Sequence, residues 1–195
     1  MDVISVFPKS IDMRTIERAV NIIRRGGVVI YPTDSNPALA ADSLNPTAIA
    51  TLCRLKKIDP ARQTLSIVCS SIAQAAQYAR IDNRAYDVLR RNLPGPFTFI
   101  LPPVPALPKP FKHRKQVGVR VPDNEIARAL AEELGHPIVS GSLGGVDPFD
   151  LESQVELMLT DADRDPDDLR GSTSMVSLLD SSAPEILREG PLELQ

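Results

Sequence analysis

The sequence predicts an α/β protein built on a twisted, open, mixed β-sheet with helices on both faces. Three observations carry that prediction. Short runs of β-branched and aromatic residues alternate with stretches whose apolar positions repeat at helical spacing. Capping and turn residues stand at most of the junctions between them. Two strand-like runs close the chain with no helix between, adding an antiparallel portion to a sheet that the alternation makes largely parallel. At 195 residues, 43% of them hydrophobic, the chain suffices for one domain with a full core.

Asp12 is placed to cap a helix bearing Ile16, Ala19, Val20 and Ile23 on one face, with Arg24 and Arg25 at its C-terminus and Gly26-Gly27 at its exit. Val28 to Tyr31 is too short for a helix and reads as a buried strand. Pro32 ends it. Thr33, Asp34 and Ser35 then follow just past the strand's carboxyl end, where open α/β sheets place ligands. An ordinary strand-to-loop turn accounts for the same residues. A loop leads on to Asn45 and Pro46, an N-cap and first-turn pair. They open a helix that carries Ile49, Leu52 and Cys53 inward and ends in Arg54, Lys56 and Lys57.

Thr64 to Cys69 reads as a strand, and Ser71 with Gln74 as a capping box. Asp82 caps a helix striped by Ala85, Val88 and Leu89, which Leu93-Pro94-Gly95-Pro96 stops before the strand Phe97 to Leu101. Between Pro102 and Pro110 the sequence PPVPALPKP reads as a stiff extended connection. Lys109, Lys112, His113, Arg114 and Lys115 form either a solvated charge run or one wall of an anion-binding cleft. Val117 to Val121 is a strand, and Asp123 is read as the cap of a helix bearing Ile126, Leu130 and Leu134. Ile138 to Ser142 is the next strand, turning hydroxyl-rich and then glycine-rich at Gly144-Gly145. A last helix is expected from Leu151 to Leu159, followed by an acidic loop from Asp161 to Asp168. Its alternating aspartates do not make a calcium loop, because Pro166 and Ser172 stand where glycine and a bidentate glutamate are needed. Thr173 to Leu179 and Pro184 to Glu189 close the chain as strands.

The formal net charge of -3 argues against a protein coated in basic residues for nucleic acid, but not against a local basic cleft. Cys53 and Cys69 fit neither a disulfide framework nor a zinc site. With no membrane-length apolar run and no signal-peptide pattern, a cytoplasmic protein without a membrane partner is expected. P-loop, GxGxxG, GxSxG and metal-ligand signatures are missing. His113 and His136 are the only histidines, and neither stands in a setting suited to acid–base catalysis. What remains is a set of strand ends bearing hydroxyls (Thr33 and Ser35, Ser140 and Ser142, Thr173 and Ser174) with cations at Lys56, Arg62, Arg120 and Arg188. Hydroxyl donors with several arginines and lysines suit a phosphate and a carboxylate in one cleft.

The segments GGVVIYPTDS (Gly26 to Ser35), PGPFTFIL (Pro94 to Leu101), VGVRVP (Val117 to Pro122), GSTSMVSL (Gly171 to Leu178) and ILREG (Ile186 to Gly190) resemble, in order and spacing, the YrdC/YciO family. The resemblance implies one YrdC-like domain over residues 11–195, with a large basic concave cleft. It implies the activity of the threonylcarbamoyl-AMP synthases, which use L-threonine, bicarbonate and ATP, with Mg²⁺, to make an intermediate for a modified adenosine in tRNA. It also implies an alternative, since family members are described as binding double-stranded RNA; here the same cleft would bind such RNA or tRNA without catalysis.

Under that resemblance Ser35 would contact threonine or a related small carboxylate, Arg120 would hold its carboxylate, and Ser140 and Thr173 would add hydrogen bonds. Lys56 matches the lysine of a KxR motif and would act in catalysis and on the nucleotide, together with Arg62, Ser142 and Arg188. No metal-ligating protein side chain is implied. The chain also departs from the synthase pattern: Asn36-Pro37-Ala38-Leu39-Ala40 replaces VYGLG, Ile58 replaces the KxR arginine, Gly144 replaces the asparagine of SxN, and Ile67 replaces a histidine. These departures resemble the YciO branch and imply chemistry weakened at least tenfold, since a charge-assisted hydrogen bond is worth roughly 1.5–3 kcal/mol.

Overall fold

The computed structural model describes residues 1–165 and 171–195, so Pro166, Asp167 and Asp168 of the acidic stretch lie outside the described residues. Among the described residues one sheet joins β1 (Asp2–Val6), β2 (Val29–Tyr31), β3 (Ala38–Asp42), β4 (Ser66–Val68), β5 (Phe97–Leu101), β6 (Val117–Arg120), β7 (Ile138–Ser142), β8 (Leu157–Asp161), β9 (Ser174–Ser177) and β10 (Glu185–Arg188). Their order across the twisted open sheet is β1-β8-β2-β3-β7-β4-β6-β5-β9-β10. The helices are α1 (Met13–Arg24), α2 (Pro46–Lys56), α3 (Ile72–Ala75), α4 (Asn83–Asn92), α5 (Lys109–Lys112) and α6 (Glu125–Leu134).

Because side chains alternate along a strand, β2 sends Val29 and Tyr31 to one face and Ile30 to the other. On the first face α1 and α6 bury Ile16, Val20, Ile23, Ile126 and Leu130 against Val29, Tyr31, Ala38 and Leu157. On the second, α2 and α4 bring Ile49, Leu52 and Leu89 onto Ile30, Leu39, Ile67, Phe99 and Val119. Each such side chain contributes about 1.5–3 kcal/mol by leaving water. The caps act as the sequence predicts at Asp12, Asn45, Ser71 and Asp82, whose side chains accept from Arg14, Thr47 and Ala48, Gln74 and Ala85 backbone N–H groups respectively.

Four expectations are corrected. The sheet is not largely parallel: its neighbouring pairs are parallel at β1·β8, β2·β8, β4·β6 and β5·β9 and antiparallel at the other five. The stretch after Tyr31 is not all loop, since the alanine-rich β3 pairs antiparallel with both β2 and β7; two flanking strands override its low β propensity. Leu151 to Leu159 is not a helix. Pro148–Leu151 is a single 3₁₀ turn, and β8 fills the gap between β1 and β2, with Leu157 and Leu159 packing on one face and Met158 on the other. Finally, α6 is capped by Asn124, whose Oδ1 accepts from Ala127 N–H at 3.0 Å, and Asp123 serves elsewhere.

Candidate functional site

The site starts where β2 ends. Thr33 Oγ1 accepts from the Ser35 N–H at 3.0 Å and donates to the Asn36 carbonyl at 2.9 Å, a hydroxyl-closed turn that reverses the chain. Asp34 and Ser35 thereby reach Arg120, the last residue of β6. Arg120 Nη2 donates to Asp34 Oδ1 at 2.6 Å and to Ser35 Oγ at 3.2 Å, while Asp34 Oδ2 accepts the Asp123 N–H at 2.7 Å. The Arg120 and Asp34 side chains are only 7% and 4% exposed. Arg120 Nε is buried with no partner among the described residues. Buried donors are nearly always paired, and this one is an exception at the centre of the anchor.

Beside this anchor runs a floor of hydroxyls. Ser140 of β7, Ser66 of β4 and Gly118 of β6 are direct cross-strand partners and therefore share one face. Gly118 has to be bare: a Cβ there would lie 2.4 Å from Ser66 Oγ and 3.1 Å from Thr98 Cγ2. The Ser140 hydroxyl meets the Tyr31 hydroxyl at 2.6 Å. Burial pushes the Tyr31 phenol up to about 12, so it stays neutral and able to donate. On the other flank Thr173 Oγ1 lies 2.8 Å from Thr98 Oγ1, and Arg188 donates from Nε to the Thr173 carbonyl at 2.9 Å and from Nη2 to its hydroxyl at 3.1 Å.

At the end of β7, Lys56 lays its stem over Gly141 and donates from Nζ to the Ser142 carbonyl. Burial pushes the Lys56 ammonium down from its ordinary value. Arg120 is level with Val68 and Ile138 across β6, β4 and β7, so Ser142 lies four residues farther along β7, about 13 Å away in the strand direction. Gly141 alternates with Ser140 and Ser142, so Lys56 meets β7 from the α2 face of the sheet, opposite the face that carries the hydroxyl floor.

Of the residues singled out from sequence, Ser35 and Arg120 therefore meet, as do Thr173 and Arg188, and Lys56 and Ser142, with Ser140 in the floor between. Arg62 stands apart, its side chain 87% exposed and 3.6 Å from Asp59. Its carbonyl accepts from Arg114 Nη1 at 2.5 Å, which joins it to the exposed basic run. Ile58 packs half-buried against the apolar core, and Gly144 adopts φ +60°. Sequence reasoning missed Asp34 as the partner of Arg120, Ser66 and Thr98 in the floor, and Arg164. Arg164 Nη1 donates to the Thr33 carbonyl at 2.9 Å and the Ser35 carbonyl at 2.8 Å. The one available signal for it was a single cation set among Asp161, Asp163 and Asp165.

Fold and site together place the chain among open-sheet α/β proteins with polar side chains gathered at the strand ends. The Sua5/YciO/YrdC family model, which carries the description "Telomere recombination", matches residues 21–190, and the chain belongs to that family. The uncharacterised protein YciO of Escherichia coli is 33% identical over 198 residues, covering 95% of this chain and 93% of YciO. The crystal structure of E. coli YciO matches with a TM-score of 0.86 over 98% of this chain and 97% of that one, at 31% identity. A threonylcarbamoyl-AMP synthase of Hydrogenovibrio crunogenus is 37% identical over 141 residues, 69% of this chain and 75% of the synthase. P. abyssi Sua5, solved in complex with L-threonine, matches with a TM-score of 0.86 at 26% identity, over 98% of this chain and 58% of that one. No helix among the described residues is long and apolar enough to cross a membrane.

Proposed function

We propose that this chain is a threonylcarbamoyl-AMP synthase-like enzyme that binds L-threonine, or a closely related small carboxylate, at the Arg120 anchor and activates its carbamate with ATP. The observation that carries the reading is the guanidinium of Arg120 at the end of β6, oriented by Asp34 and Ser35 beside the hydroxyls of the floor. A carboxylate is the acceptor that guanidinium geometry favours. The P. abyssi relative bound to L-threonine supports the same choice.

In the reaction, bicarbonate condenses with the threonine amine, losing water to give a carbamate. A carbamate oxygen attacks the α-phosphorus of ATP; the new O–P bond forms as the bond from that phosphorus to the bridging oxygen breaks, and pyrophosphate departs with the electron pair. No side-chain nucleophile is required. Lys56 beside the Ser142 carbonyl at the end of β7 and Arg188 at the flank of the floor would hold phosphate oxygens and offset the charge that develops there. Mg²⁺ would neutralise further phosphate charge; among the described residues no three metal-ligating side chains cluster, so it would enter on the nucleotide's own oxygens. With Ile58 turned to the core and Gly144 offering no side chain, the nucleotide half is weaker than in a full synthase, by at least about tenfold.

Calorimetric titration with L-threonine, then with ATP and Mg²⁺, followed by a pyrophosphate assay with bicarbonate present, tests the reading. Threonine binding and slow threonine-dependent pyrophosphate release are expected; absence of both would overturn it. The exposed run from Lys109 to Lys115, joined to Arg62 through Arg114, favours one competing reading, phosphate-directed RNA binding without catalysis. That reading requires affinity for duplex RNA that falls steeply with added salt.

A further inference from the structure

We infer that Arg164 is a positioning residue for the carboxylate anchor, acting from the β8–β9 connection through the backbone of the Thr33–Ser35 turn. This role rests on the substrate reading above. One guanidinium nitrogen, Nη1, donates to both carbonyls that flank Asp34, at 2.9 Å to Thr33 and 2.8 Å to Ser35. Two carbonyls converging on one charged donor fix the Thr33–Asp34 and Ser35–Asn36 peptides, and the Ser35 N–H held by Thr33 Oγ1 fixes the peptide between them. The Asp34 carboxylate then has one direction open to it, toward Arg120 Nη2 and the Asp123 N–H, and the Ser35 hydroxyl falls beside the same nitrogen.

The connection that carries Arg164 is itself fastened near the site. Asp161 Oδ2 accepts from Asn124 Nδ2 at 3.3 Å, tying the end of β8 to the cap of α6, and Asp161 Oδ1 accepts the Asp163 N–H at 3.0 Å. Arg164 is therefore held from one side and grips the turn from the other. Without it, two partly buried carbonyls lose a charged donor, the turn gains alternative conformations, and Asp34 no longer presents Arg120 in a single orientation. Arg164 reaches the carboxylate end directly through these two carbonyls, so its loss is expected to fall on threonine before ATP.

The experiment compares the full chain with Arg164→Ala and Arg164→Lys. Amide hydrogen exchange over residues 33–36 should quicken about tenfold in Arg164→Ala, with β9 and β10 unchanged, and recover in part in Arg164→Lys, whose ammonium can still donate to both carbonyls. Calorimetry should show L-threonine affinity down about tenfold in Arg164→Ala and ATP affinity unaltered. Unchanged exchange in the turn, unchanged threonine affinity, or equal losses for threonine and ATP would each overturn the positioning role. A wild-type chain with no affinity for threonine would instead overturn the substrate reading and this role with it, while the exchange data would still decide whether the grip on the turn exists.

Discussion

Arg120 and Asp34, 86 positions apart in the chain, meet at 2.6 Å with both side chains almost wholly withdrawn from solvent. Removing one member of such a pair strands the other charge, a loss of about 3–5 kcal/mol, whereas replacing both by uncharged groups of similar size costs far less. Arg120→Ala should therefore lose both threonine binding and stability. The double variant Arg120→Met with Asp34→Asn should regain most of the stability and none of the binding. Urea denaturation paired with threonine titration checks this; stability that stays low in the double variant would mean the pair is not what holds this corner together.

Gly118 gives the floor its shape. In Gly118→Ala the new methyl would fall 2.4 Å from Ser66 Oγ, forcing that hydroxyl to turn into the cleft. The expected cost is about 1–3 kcal/mol in unfolding free energy, with reduced affinity for whatever lies along the floor. Thermal unfolding and ligand titration of the variant are the measurements, and an unaltered affinity would place the ligand elsewhere.

The resemblance to the synthases sets Gly144 against an asparagine, and its surroundings would admit one. Its φ is +60°, a region asparagine tolerates better than most residues, and an added Cβ meets nothing within 4 Å. Gly144→Asn should leave stability within about 1 kcal/mol of the parent. It should also raise ATP affinity and threonine-dependent pyrophosphate release. Ile58→Arg is the poorer restoration, because Ile58 already packs against the core. An inert Gly144→Asn would show that the missing amide is not what limits the nucleotide half.

At the far end of β3, the Asp42 carboxylate lies 2.8 Å from His136 Nε2. Burial raises the Asp42 carboxyl, but the His136 hydrogen bond, the Leu44 N–H and the nearby imidazole together hold it below its ordinary 3.8. A carboxyl depressed in the folded state stabilises that state only while ionised. Its contribution is thus complete above the ordinary value and disappears as pH falls through the folded value. Asp42→Asn should cost stability at pH 7 and progressively less on acidification below pH about 4. Urea midpoints of parent and variant at pH 7 and pH 3 give the test; a constant gap between them would mean the carboxylate charge is not involved.

Local elements were legible in the sequence because their signals are local. The caps at Asp12, Asn45 and Asp82 and the β-branched strands at Val29 and Val117 need only neighbouring residues to declare them. Ala38–Asp42 carries no strand signal of its own and becomes one only between β2 and β7. Leu157 and Leu159 were misread for a related reason: spacing that suits a helix yields to a vacancy between two strands. The site shows the same division. Ser35, Arg120, Thr173 and Lys56 stand out at strand or helix ends. That Asp34 faces Arg120, that Ser66 falls level with Ser140, and that Arg164 reaches the Thr33 and Ser35 carbonyls depend on pairings across 86, 74 and about 130 positions, which no local pattern records.

The insertion of β8 between β1 and β2 also fixes an order of events. Residues 2–6 and 29–31 can complete their hydrogen bonding only after residues 157–161 have been made, so both strands wait for a partner far downstream. Until then the outer edge of β2 is open to any passing strand, and pairings over such sequence distances slow productive folding. When β8 arrives it closes the facing edges of β1 and β2 together, so that hazard is removed for both strands in one step.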